Sequence, residues 1–230
     1  MKTNTERLLE TFGRHTRLFI PVIHHASVEA SVRAVHVARD AGADGVCFIN
    51  QGVSTRELIG LFPRYREAFP GFPMGLNILG GQSVAVGVAD FHWTDHATPF
   101  LPAGADAGDA PWMPGVAFKT HGPMTPTQWR EAVERFQGLR ADVAVTSGPG
   151  TGMAASREKV KTIRRYLEET RRDDRGDVVL GIASGVTPEN AHTLQPLVDV
   201  WLVATGIEAS FGVLDRERTE RLSKIIHAGA

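Results

Sequence analysis

Residues 178–206 read VVLGIASGVTPENAHTLQPLVDVWLVATG. Two short apolar runs, Val178–Ile182 and Val200–Val203, each lead into a small polar residue followed by glycine: Ser184-Gly185 and Thr205-Gly206. Between them, Thr187-Pro188 has the form of a helix start, with a hydroxyl at the cap and proline at the first helical position. Strand, helix and strand in this spacing make a crossover unit, and strands joined that way are parallel.

Moving towards the N-terminus, the same unit recurs. Ser156 precedes a helical stripe of Val160, Ile163 and Leu167, and Val143–Val145 is the strand before it. Thr125-Pro126-Thr127-Gln128 is a capping box ahead of Trp129, Val133 and Phe136, and Val116–Phe118 reads as the strand before that. Leu18–Ile23, Gly45–Ile49, Met74–Leu79 and Asp90–Thr94 supply further strands. Val28, Val32 and Val35 mark one helix, which Gly42 ends. Ser54-Thr55-Arg56-Glu57 opens another, with Pro63 expected to divide it. Ser83–Val88 fits a short helix or a strand, and Pro99–Pro114 is a Pro-, Gly- and Ala-rich stretch expected to form an irregular loop or lid. After Gly206, a short segment from Ile207 to Gly212 leads to a last helix capped by Asp215, with Leu222, Ile225 and Ile226 apolar.

The count comes to about eight strands, and the glycine turns cluster after the last of them. Both features favour a (β/α)8 barrel spanning residues 1–230 as one domain over an open doubly wound sheet. The length of 230 residues fits one such core, and the apolar fraction of 42% and charged fraction of 22% are those of an ordinary globular chain. A formal net charge of -1 provides no global field for nucleic acid or an anionic membrane. The single cysteine, Cys47, sits in an apolar run and reads as a core residue, so no intrachain disulfide forms; this fits a cytoplasmic location. The stretch Met1–Arg17 lacks the apolar run of a signal peptide, and no segment has the length of a membrane span.

Barrels carry their chemistry where strands end at the C-terminal face. The residues there are His24-His25, Asn50, Asn77, Asp95-His96, Lys119 with His121, Ser147, Ser184-Gly185 and Thr205-Gly206. The glycine turns after strands seven and eight are the expected phosphate site, built by Ser184, Gly185, Thr205 and Gly206. Glycine lets backbone N–H groups approach an anion, and a following helix start would add positive dipole ends. Glu208 lies nearby in sequence and would repel an anion unless it points away. Gly206→Asp is expected to remove binding with the fold retained. Lys119, His121 and Asp95 are the candidates for proton transfer or charge stabilisation, and His24, Asn50, Asn77 and Ser147 for holding the rest of a ligand. Asp95, His96, His24, His25 and His121 also contain the donor types of a zinc site, but only His24-His25 are adjacent, and neighbours on a strand face opposite ways. No metal or other cofactor is expected.

Val143–Gly152, Ser184–Asn190 and Val203–Gly206 resemble the corresponding stretches of the BtpA family with its SgcQ-like members, which belongs to the phosphate-binding ribulose-phosphate barrels. Val22-Ile23-His24, Ala41–Val46, Gly75–Leu79 and Phe118-Lys119-Thr120-His121 are similar to the family's N-terminal half. The stretch after Gly80 is short, Pro99–Pro114 does not match the family's loop, and Ile207-Glu208 replaces a small polar and an apolar residue. The family is linked to photosystem I biogenesis in cyanobacteria and described elsewhere as nucleosidases. The resemblance implies a phosphosugar or nucleotide-like ligand and an isomerase, lyase or nucleosidase-type reaction. Two alternatives stand beside it. One is a non-catalytic assembly factor or sensor that keeps the anion site and offers Trp112 to a partner; the other is a metal-dependent hydrolase. A homo-oligomer is compatible with the sequence.

Overall fold

Strands of three to seven mostly apolar residues recur along the chain, and their ladders show how they assemble. The structure, a computed structural model, describes residues 2–79, 87–96, 110–139, 141–172, 174 and 176–228. The strands are β1 (Leu18–His24), β2 (Val46–Ile49), β3 (Met74–Asn77), β4 (Phe91–Thr94), β5 (Trp112–Pro114), β6 (Ala144–Ser147), β7 (Leu180–Ala183) and β8 (Val200–Val203). They form one eight-stranded sheet in the order β5-β4-β3-β2-β1-β8-β7-β6, with every neighbouring pair parallel. The two edges meet: Gly115 bridges Val145 in parallel, the Val116 N–H donates to Val145 O (2.7 Å), and the Asp142 N–H donates to Trp112 O (2.8 Å). The result is the (β/α)8 barrel expected from the sequence.

The helices are α1 (Asn4–Phe12), α2 (Val28–Asp40), α3 (Thr55–Ala68), α4 (Pro126–Gln137), α5 (Arg157–Glu169), α6 (Ala191–Leu194) and α7 (Arg216–His227). Caps fix their starts, as the sequence signals. Ser54, Ser156 and Asp215 each accept from the backbone N–H three residues on, and Thr125 with Gln128 completes a reciprocal box with Pro126 at the first helical position.

Alternation along the strands sorts side chains into two cores. Leu18, Ile20 and Val22 of β1 enter the barrel with Cys47, Ile49, Trp93, Val145 and Leu202, while Phe19 and Ile23 face the helices. Cys47 is fully buried, and burial pushes its thiol pKa up, away from reactivity.

Four sequence expectations need correcting. The fifth strand is Trp112–Pro114 and not Val116–Phe118, so the end of the expected loop is barrel wall. Residues 99–109 of that loop, and most of Ser83–Val88, lie outside the described residues. Trp112 is 7% exposed and donates its indole N–H to Thr94 Oγ1 (3.0 Å), so it does not present itself to a partner. Pro63 does not divide α3; the missing hydrogen bond is offset by Leu58, Phe62 and Tyr65 packing inward, with Tyr65 stacked on Phe48 at 4.7 Å. The segment after Gly206 forms an antiparallel hairpin, β9 (Glu208–Ser210) with β10 (Val213–Leu214). Finally, α1 was not anticipated. It closes the N-terminal end of the barrel, with Leu8 in the inner core and the Phe12 ring 5.1 Å from Phe91.

Among the described residues, no helix is long and apolar enough to cross a membrane.

Candidate functional site

The strands end together at the face opposite α1, and their exits surround a cavity of about 230 Å³. Its floor is apolar, with Val22, Ile49, Trp93 and Leu202; its polar lining comprises His24, Gln51, Asp95, Lys119, Thr151, Ser184 and Thr205. A larger hollow of about 370 Å³ lies at the other end, lined by Glu10, Arg66 and Asp90. We give the smaller cavity the chemistry. It gathers groups from several strand ends, whereas in the larger one Arg66 and Asp90 already pair with each other at 2.8 Å.

The expected phosphate turns lie side by side. Ser184 and Thr205 line the cavity, and Gly185 and Gly206 stand directly behind them. The role of the glycines differs from the expectation. A Cβ on Gly185 would come within 2.1 Å of Ala154 N, and one on Gly206 within 1.7 Å of Val186 O. The room left by the missing side chains is therefore filled by backbone, so the exits of β6, β7 and β8 interlock. A substitution at Gly206 would displace backbone, so Gly206→Asp cannot probe binding with the fold undisturbed.

The donors themselves remain available. Among the described residues, no acceptor takes the N–H groups of Gly185, Thr205 or Gly206. The expected helix dipoles contribute little. The helix after β7 is only Ala191–Leu194, and Ala209–Gly212 belongs to a hairpin. A side chain supplies positive charge instead. Lys119 Nζ donates to Ser184 Oγ (3.2 Å) and Thr151 Oγ1 (3.3 Å), which places an ammonium beside the β7 turn.

Lys119 is held from two sides. Its N–H donates to the buried Ser147 Oγ (2.8 Å), so Ser147 braces the lysine and does not line the cavity. Lys159 of α5, a residue the sequence reading passed over, donates from Nζ to Ala117 O (2.6 Å) and Ser147 O (2.7 Å). Burial lowers its ammonium pKa to about 8. Ala117 (φ 48°) and Ser184 (φ 71°) are two of the three non-glycine residues with positive φ among the described residues, and both stand past strand exits of this site.

The other candidates divide. Asp95 lines the cavity and accepts from Asn77 Nδ2 (3.0 Å); Asn77 itself is 1% exposed and lies behind the aspartate. Asn50 ties two loops, accepting from the Leu79 N–H (2.6 Å) and donating to Thr55 Oγ1 (3.1 Å). His121 is separated from Lys119 and Asp95. It lies in a side hollow with His96, ring centroids 5.0 Å apart, and its Nδ1 accepts from the Phe118 N–H (3.2 Å). Burial and then His96 push its pKa down.

His24 and His25 face opposite ways, as strand alternation requires. His25 is packed among the helices with Ser31 Oγ (2.9 Å) and Tyr65 OH (3.2 Å). His24 faces the cavity. Its Nδ1 lies 2.8 Å from Oε1 of the buried Glu208, which also accepts from the Gly212 N–H (3.1 Å). Glu208 is therefore turned towards His24 of β1. The Phe211 ring stacks on His24 at 4.8 Å and 9°. Sequence reading missed the partnership of Glu208 and Phe211 with His24 because the β9–β10 hairpin brings them together across the barrel seam. Among the described residues, no three His, Cys, Asp or Glu side chains gather to hold a metal.

No family model matches the sequence, and no curated protein matches it. Solved structures do. Phosphoribosyl anthranilate isomerase from Thermus thermophilus is similar over 91% of this chain and 98% of its own, at 18% identity and a TM-score of 0.61. Thiamine phosphate pyrophosphorylase from Pyrococcus furiosus is similar over 92% and 96%, at 17% identity and a TM-score of 0.63. (S)-3-O-geranylgeranylglyceryl phosphate synthase from Thermoplasma acidophilum, in complex with sn-glycerol-1-phosphate, is similar over 98% and 99%, at 14% identity and a TM-score of 0.62. At these identities the likeness establishes the fold, a (β/α)8 barrel followed from end to end.

Proposed function

We propose that this chain is an enzyme acting on a phosphorylated small molecule, whose phosphate sits at the exits of β7 and β8. The observation that carries the reading is that Gly185, Thr205 and Gly206 have N–H groups without an acceptor among the described residues, at the exits where Ser184 and Thr205 line the cavity and the Lys119 ammonium meets Ser184. Fixed donors and one cation at a strand-end cavity are the chemistry of anion recognition. The barrel neighbours support it, since the names of the isomerase, the pyrophosphorylase and the synthase all carry phosphorylated compounds. The resemblance of residues 143–152 and 184–190 to the BtpA and SgcQ-like proteins points the same way, and isomerase, lyase and nucleosidase types all suit the set.

In this reading Lys119 neutralises phosphate charge. Asp95 and His24 face the remainder of the ligand and exchange protons with it, Asp95 being oriented by Asn77 and His24 by Glu208. His121 has no part in it.

The test is calorimetric titration of the parent and Lys119→Ala with inorganic phosphate and with D-ribose 5-phosphate. Saturable binding of both by the parent, about tenfold weaker in the variant, is the expected result, since ~1.4 kcal/mol per tenfold is in the range of one charge-assisted contact. Absence of binding by the parent, or equal binding by the variant, overturns the proposal. Binding without turnover of any phosphosugar would favour the sensor alternative.

A further inference from the structure

Five large apolar side chains are exposed among the described residues: Leu9, Leu79, Met153, Phe211 and Val213. Leu9 is on α1; the other four are in the segments after β3, β6 and β8, around the cavity mouth. Scattered exposed apolar residues are normal, but their concentration at one strand-end face is not.

Phe211 is the most informative of them. It is 49% exposed, yet it is not a loose side chain. One face lies flat on the His24 ring, and Gly52 leaves room beside it: a Cβ there would come 3.8 Å from the Phe211 ring. The hairpin that carries it is pinned because Glu208 takes hydrogen bonds from both His24 and the Gly212 N–H. An aromatic ring held in place while still open to solvent is preorganised for contact, because little side-chain entropy remains to be lost on binding. Leu79 stands on the same side of the cavity, at the β3 exit, and the floor below is apolar. One polar group there is spare: the indole N–H of Trp93, 5% exposed, has no acceptor among the described residues.

Resting on the phosphate reading above, we propose that the ligand carries an aromatic group at the end remote from its phosphate. The phosphate lies at the β7 and β8 exits, and the aromatic group lies across the mouth against Phe211 and Leu79. Such a ligand is an aryl-bearing phosphate ester, and a plain sugar phosphate would leave the rim wet.

The experiment uses the whole protein and three esters of one charge type: methyl, benzyl and cyclohexylmethyl phosphate, with inorganic phosphate as the reference. Benzyl phosphate is expected to bind at least about tenfold tighter than methyl phosphate, with the non-planar cyclohexylmethyl ester between them. Phe211→Ala should cut the benzyl-to-methyl ratio to about threefold or less, and Leu79→Ala should lower it by a smaller factor. The proposal is overturned if the three esters bind parent protein equally, or if the ratio survives in both variants. It is also overturned if Phe211→Ala converts a dimer to a monomer in sedimentation without changing the ratio, since a second copy then covers the rim. The phosphate reading survives each of those results; in this experiment it fails, and this inference with it, if neither inorganic phosphate nor any ester binds.

Discussion

At its N-terminal end the barrel pairs the buried polar groups of α1 with its wall. Arg7 of α1 reaches Asp142, both almost fully buried, and Asp142 Oδ2 accepts from the Trp112 N–H (2.7 Å). Asn4 donates to Asp177 O (2.7 Å), and Leu8 and Phe12 fill the opening. At the C-terminal end the interlocked exits of β6, β7 and β8 hold N–H groups that find no acceptor, and two residues keep left-handed backbone. The first end has its buried charges paired, and the second keeps backbone donors and a lysine at a cavity. The contrast teaches that burial alone does not mark a site. Arg7 and Asp142, each 2% exposed, are more buried than the cavity-lining His24, at 8%, but their charges are spent on each other.

The largest expected effect strikes the closed end. Asp142→Ala removes the carboxylate shared by Arg7 and the Trp112 N–H, leaving the buried guanidinium its bond to Lys2 O but no counter-charge, and should cost about 3–5 kcal/mol in urea unfolding. Phosphate binding by the folded fraction should be unaltered; if affinity falls with stability, the two ends are not independent.

The wall between the ends supplies the second test. Burial holds the His92 imidazole at about pKa 4, against 6.5 in its absence. Between those pH values the unfolded chain binds a proton that the folded chain refuses, so stability is complete above about pH 6.5 and is lost as pH falls towards 4. Roughly 2–3 kcal/mol should disappear between about pH 7 and pH 4.5 in urea titrations, and His92→Leu should flatten the slope. An unchanged slope would mean that the loss arises elsewhere.

Gly206→Ala tests the interlocking of the open end. Its Cβ would meet Val186 O, so a cost of about 1–3 kcal/mol is expected, with phosphate binding also impaired. The smallest effect on the fold belongs to Lys119→Ala. It should reduce phosphate affinity about tenfold, ~1.4 kcal/mol, with the thermal midpoint shifted by only about a degree. A large stability loss there would break the contrast, because Lys119 would then be framework.

Seven of the eight strands were legible in the sequence because each is a short apolar run bounded by a turn residue. The eighth, Trp112–Pro114, is three residues long, ends in proline and follows a Gly- and Ala-rich stretch, so composition hid it. Val116–Phe118 mimicked it because those residues are buried too, Phe118 inside the barrel and Val116 and Ala117 against the helices. Helix α1 left only a brief stripe, Leu8 and Phe12, with Leu9 pointing to solvent. Naming the residues at strand ends placed His24, Asp95, Lys119, Ser184 and Thr205 on one cavity. Asn50, Asn77, Ser147 and His121 do not line it: their side chains tie loops, support Asp95, brace Lys119 and enter a side hollow. Which way a side chain turns just past a strand depends on local turn geometry that the strand period no longer dictates.

The attachment of α1 has a consequence for the order in which the chain assembles. Its partners, Asp142 and Asp177, are separated from Arg7 and Asn4 by 135 and 173 residues. During synthesis this helix therefore precedes its seat by most of the chain, with Leu8 and Phe12 exposed until β6 and the approach to β7 have been made. Contacts of such long range are formed late, after the large loop they close has been ordered by others. Weakening Arg7 should accordingly leave the refolding rate almost unchanged and appear as faster unfolding, so that α1 acts as the latch of a barrel already built.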